Sequence, residues 1–109
     1  MAFDEALAGR VRRLLADTPQ VCEKRMFGGL AFLVQGHMSL GVHGAELIVR
    51  LHHADSHAAL AEPGARIFDL SGRPMKGWLL VAGDALREKR LLARWVKRAV
   101  AYAQTLPKK

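Results

Sequence analysis

Near the start of the chain, Leu7, Val11, Leu14 and Leu15 recur at i, i+4, i+7 and i+8. That spacing predicts an amphipathic helix from about Asp4 to Asp17, ended by Thr18-Pro19. The periodicity then shortens. Strands are predicted at Glu23–Phe27 and Leu30–Gln35, the second rich in β-formers around Phe32. Gly36-His37 reads as a turn. Over Met38–Val42 the residues alternate, with Met38, Leu40 and Val42 on one face and Ser39 and Gly41 on the other. After a turn at His43-Gly44-Ala45, Glu46–Leu51 returns as a fourth strand. Ala54–Glu62 reads as a short helix closed by Pro63-Gly64. Arg66–Leu70 and Lys76–Val81 are the last two strands, joined by a turn at Ser71-Gly72-Arg73-Pro74. Gly83-Asp84 is expected to open the final helix, with Asp84 as N-cap. In that helix Leu92, Trp95, Val96, Ala99, Ala103 and Leu106 form an apolar stripe, and Pro107 stops it.

The resulting order, α–β(4)–α–β(2)–α, predicts an α+β domain of two layers. A mostly antiparallel sheet carries helices packed on it. Trp78 and Trp95 are expected in the core. At 109 residues the chain is read as one domain over 1–109. A chain of this size buries roughly 65% of its unfolded surface, enough for a core without disulfides or metal. Cys22 is the single cysteine, which fits a reducing cytoplasm. The start, Met1–Glu5, is acidic without an apolar run, so no signal peptide is expected. No apolar stretch approaches the ~20 residues of a membrane helix.

Charge sharpens the picture. The net charge is +7, and from Asp84 onward eight Lys or Arg face only Asp84 and Glu88. Arg87, Arg90, Arg94, Lys97 and Arg98 fall opposite the apolar stripe, giving the last helix a basic face. Such a face is either a solvated surface or a contact for DNA phosphates or an acidic protein. Five phosphate contacts would give a salt slope of about −4.5 on duplex DNA. With no helix-turn-helix pattern and no interleaved aromatics, only binding without sequence specificity is expected.

Two glycine-bearing motifs stand out, Arg25-Met26-Phe27-Gly28-Gly29 and Gly72-Arg73-Pro74-Met75-Lys76-Gly77-Trp78. One reading is structural. The glycines make tight links, and Met26, Phe27, Met75 and Trp78 fill the core. The other is a partner-binding surface of Arg25, Phe27, Gly28, Gly29, Arg73, Met75 and Lys76. There arginine beside exposed apolar side chains anchors a protein partner.

With Phe32, Gly36, the run Glu46–Arg50, Leu92 and Trp95, these motifs make the chain resemble the N-terminal domain of the TfoX/Sxy family. The resemblance runs from about Phe3 to Leu106. It implies a secretion-chaperone-like topology. It also implies a non-enzymatic role in transcriptional control through a partner protein. The family's competence regulators are thought to work with the cyclic-AMP receptor protein at promoters. Those regulators carry a second, C-terminal domain that has no counterpart in these 109 residues. The resemblance therefore carries fold further than competence.

Other chemistry is thinly represented. His53 and His57 are spaced i, i+4, with His52 and Asp55 nearby, but zinc needs three or four ligands. No metal and no cofactor are expected, and a small-molecule or metal site is the third reading. Cys22, Ser39, Ser56 and Ser71 sit in no nucleophile arrangement, and Gly28-Gly29 lacks phosphate-loop spacing. A monomer or homodimer is expected.

Overall fold

The computed structural model describes residues 3–26, 28–68 and 77–107. Helix α1 (Glu5–Leu14) leads into strands β1 (Val21–Met26), β2 (Gly29–Val34), β3 (His37–His43) and β4 (Glu46–Arg50). Helix α2 (His53–Ala59) follows, then β5 (Ala65–Ile67) and β6 (Trp78–Val81). A 3₁₀ turn at Gly83–Leu86 precedes α3 (Lys89–Thr105). The strands form one sheet in the order β1-β2-β3-β4-β6-β5, with every neighbouring pair antiparallel. This is the α+β architecture that the hydrophobic pattern predicts.

Helix α1 starts where Asp4 can cap it. The Asp4 carboxylate accepts hydrogen bonds from the Ala6 and Leu7 amides at 2.9 and 3.1 Å. The helix ends at Leu14, three residues before the expected Asp17. Leu15 serves as its C-cap.

One sheet face is covered by helices. Phe32, Leu40, Val42, Leu47, Val49, Leu79 and Val81 meet Leu7, Val11, Leu15, Leu92, Trp95, Val96 and Ala99 in one core. Each such large side chain contributes on the order of 1.5–3 kcal/mol by leaving water. The alternate residues Ile48 and Leu80 face the other side, where they bury against Phe68 and are flanked by Met38 and Trp78.

Several expectations need correction. The register of β3 slips by one residue between its pairings Phe32↔Leu40 and Leu33↔Met38. Ser39 is thus the extra residue of a β-bulge, and it reverses the parity of the strand. Met38 therefore joins the second face instead of lying with Leu40 and Val42. Ser39 is fully buried, and its hydroxyl has no partner among the described groups. Asp84 caps no α-helix: the chain makes one 3₁₀ turn anchored by buried Leu86, and Glu88 is extended before α3 begins. Arg87 consequently lies ahead of α3, not on its face. Trp78 is half-buried on the second sheet face, whereas Trp95 is in the core as expected. Leu14 is 43% exposed and Met26 40%, so neither fills the core. Strand β1 begins earlier than expected, at Val21. The expected turn at Ser71–Pro74 lies outside the described residues.

Candidate functional site

Of the first motif, Arg25 is exposed on edge strand β1, its guanidinium 5.8 Å from the centre of the Phe3 ring. Gly28 turns the chain at φ +75°, a left-handed conformation that glycine adopts without strain. Gly29 has already entered β2, opposite Met26. Phe27, Arg73, Met75 and Lys76 lie outside the described residues, so of the expected partner surface only Arg25, Gly28 and Gly29, all from the first motif, are described.

The basic residues of the C-terminal region fall into two groups. Arg94 and Arg98 lean toward Glu62, which lies beyond α2. Arg98 donates to the Glu62 carboxylate at 2.6 Å, and Arg94 approaches it at 3.6 Å. The Arg98 guanidinium also sits 4.8 Å from the Trp95 ring centre. Arg87 is 3.5 Å from Asp84 in an exposed pair. Arg90 and Lys97 lean the other way, toward α1, and form no ion pair among the described residues.

Between α1 and α3 these free cations border a groove. Its first hollow, about 570 Å³, is lined by Arg10, Arg13, Leu14, Lys89, Arg90, Leu92 and Ala93. A second, about 410 Å³, continues from Leu14 and Ala93 past Val96 and Lys97 to Val100 and Gln104. From Lys89 to Gln104 the α3 wall is about 22 Å long at the helical rise per residue. No Asp or Glu lines either hollow among the described residues. Arg10 is held in place, donating to the Leu86 carbonyl at 2.8 Å. The floor is apolar through Leu14, Ala93 and Val100. Sequence reasoning missed Arg10, Arg13 and Lys89 because no single-helix pattern shows that two basic helix edges face each other.

On the far side of α1, Arg12 makes a two-pronged pair with Glu23 of β1, at 2.6 and 2.8 Å. The hydrogen bond from Arg12 holds the Glu23 carboxyl below its ordinary range, and the same bond raises Arg12. Arg66 and Glu46 form a similar pair between β5 and β4.

A second groove of about 580 Å³ runs between α2 and α3, lined by Leu51, His52, Ala54, Asp55, Ala58, Arg98, Ala101, Tyr102 and Thr105. His52 accepts from the Ala54 amide through Nδ1 at 3.0 Å, and its ring stacks on His53 at 4.4 Å. Among the described residues, no group of three or more His, Cys, Asp or Glu could hold a metal ion. Nor is any described helix long and apolar enough to cross a membrane.

Comparison with curated proteins and with solved structures gives no significant match. The model of one family, the TfoX N-terminal domain, matches residues 13–103. That span includes both glycine motifs, the whole sheet and most of α3, so the chain belongs to the TfoX N-terminal domain family.

Proposed function

We propose that this chain is a non-enzymatic regulatory domain that acts in transcriptional control by holding a protein partner. The observation that carries this reading is the α1–α3 groove, where cations with no ion pair among the described residues flank an apolar floor. An acidic amphipathic helix fits such a surface. Its apolar stripe covers Leu14, Ala93 and Val100, while its carboxylates meet Arg13, Lys89, Arg90 and Lys97. The groove length accommodates about four helical turns.

Non-specific nucleic-acid binding through Arg87, Arg90, Arg94, Lys97 and Arg98 is the rival reading. Glu62 neutralises part of that set, since Arg94 and Arg98 both approach it. A phosphate backbone also has no use for an exposed leucine in the floor. The test is fluorescence anisotropy with a labelled peptide that forms an amphipathic helix with glutamates beside a leucine stripe. The peptide is expected to bind the wild type, and Leu14→Ser is expected to weaken it several-fold. Equal binding to Leu14→Ser, or binding of random duplex DNA alone, would remove the protein-partner reading.

A further inference from the structure

Arg50 ends β4 directly opposite Trp78 of β6. Trp78 closes the second glycine motif and Arg50 the run Glu46–Arg50, and the docking groove does not use either of them. The Arg50 guanidinium stands 5.2 Å from the Trp78 ring centre and 5.6 Å from that of Tyr102 on α3. Gly77 fixes this meeting. Its carbonyl accepts from the Leu51 amide at 2.7 Å, and a Cβ there would stand 2.7 Å from the Leu51 carbonyl oxygen. Arg50 is half-buried, yet no carboxylate and no hydrogen-bond acceptor meets it among the described residues. Two aromatic contacts hold the guanidinium in place. They do not satisfy its five N–H donors, whose fork geometry matches a carboxylate or phosphate.

The surroundings extend the pattern. Tyr102 and His52 contact each other edge-on at 5.9 Å, and both line the α2–α3 groove. Because His52 Nδ1 accepts from the Ala54 amide, its neutral ring carries the proton on Nε2, a further donor. The walls beyond are Leu51 and the small side chains of Ala54, Ala58 and Ala101, all apolar, which leave room for a flat body. Arg98, the arginine that lines the groove among the described residues, is engaged by Glu62, whereas Arg50 adjoins the groove through Tyr102. Asp55 lines the groove as well, so its negative charge disfavours a polyanion lying along it.

We infer that Arg50, framed by Trp78 and by Tyr102, the residue it shares with the α2–α3 groove, is a binding site for a small ligand carrying one oxyanion on a flat apolar body. Arg50 takes the carboxylate or phosphate, and the groove takes the body. This site is separate from the α1–α3 groove and stands or falls independently of the docking proposal.

The experiment is a ¹H–¹⁵N NMR titration of the full chain with benzoate, phenyl phosphate and inorganic phosphate, each against a chloride control of equal ionic strength. Binding of benzoate or phenyl phosphate is expected to shift the Arg50 Nε–H, the Trp78 indole N–H and the Tyr102 amide. Whichever of the two binds more tightly names the head group. Arg50→Lys keeps the charge but loses the fork, and is expected to weaken binding about tenfold. Tyr102→Leu, which leaves Arg50 intact, is expected to weaken it several-fold. No shift with benzoate or phenyl phosphate beyond the chloride control would overturn the proposal. So would shifts confined to the cations of α1 and α3, or unchanged affinity in Arg50→Lys. Inorganic phosphate binding as tightly as phenyl phosphate would overturn the role given to the groove.

Discussion

The two flanks of α3 carry similar cations in different electrostatic surroundings. On the α2 side, Arg94 and Arg98 converge on one carboxylate, Glu62, which is itself only 22% exposed. On the α1 side, Arg90 and Lys97 join Arg13 and Lys89 with no carboxylate between them among the described residues. Glu62 is 36 positions from Arg98 in sequence. Counting charges along the helix gives one basic face, whereas the packing of α2 turns that face into a neutralised flank and a receptive one. Availability of a cation to a partner depends on where the nearest acid lies in space.

The comparison breaks most completely if α3 loses its seat. Trp95 is 3% exposed beneath the Arg98 guanidinium and anchors both flanks on the sheet. Trp95→Ala is expected to lower stability by ~3–5 kcal/mol, read from the denaturant midpoint. A loss under about 1 kcal/mol would show that the tryptophan is not a core anchor.

A smaller effect is expected at the α2 end. Gly77 has φ +86°, and a Cβ would meet the Leu51 carbonyl oxygen at 2.7 Å. Gly77→Ala is expected to cost about 1–3 kcal/mol and to disturb the Arg50–Trp78 contact while leaving the α1–α3 groove intact. Chemical shifts that change equally at both grooves would contradict this local reading.

Glu62→Gln sharpens the comparison by freeing Arg94 and Arg98. It is expected to lower stability by about 1 kcal/mol, since one acceptor for two cations is weakened. It is also expected to steepen the salt dependence of any DNA binding by about 2, one phosphate per released arginine. An unchanged slope would mean that Glu62 does not govern those cations.

The smallest effect belongs to Glu23 and Arg12. Glu23 titrates below its unfolded value because Arg12 donates to it. The stability it contributes is therefore present above the ordinary glutamate range and lost as pH falls through the lower folded value. Arg12 is 53% exposed, so solvent screening holds the effect to at most about 0.5 kcal/mol. Removing Glu23 as Gln is expected to flatten the stability profile slightly in that acidic window, and only there.

Much of the fold was legible because helical periodicity survives in the sequence. Leu92, Trp95, Val96, Ala99 and Ala103 are all buried, as their spacing requires. The bulge at Ser39 was not legible, because an inserted residue leaves the alternation of Met38, Leu40 and Val42 unbroken on paper while reversing one of them in space. The early 3₁₀ turn hid behind Asp84, a good capping residue that the chain uses elsewhere than in an α-helix. The candidate sites were legible only in part. Arg90 and Lys97 were found from charge pattern, but their partners in the groove, Arg10, Arg13 and Leu14, come from another helix. Trp78 was visible as a motif residue and Arg50 as the end of the run Glu46–Arg50, and only the pairing of β4 with β6 puts them together.

The most direct measurement sets the two flanks against each other with the acidic amphipathic peptide as probe. Arg13→Glu/Lys97→Glu reverses the charge of the receptive flank, and Arg94→Gln/Arg98→Gln removes it from the flank that Glu62 neutralises. Anisotropy at physiological salt is expected to show binding abolished in the first variant and nearly unchanged in the second. Equal losses in both variants would contradict the account, because the basic face would then act as one undivided surface.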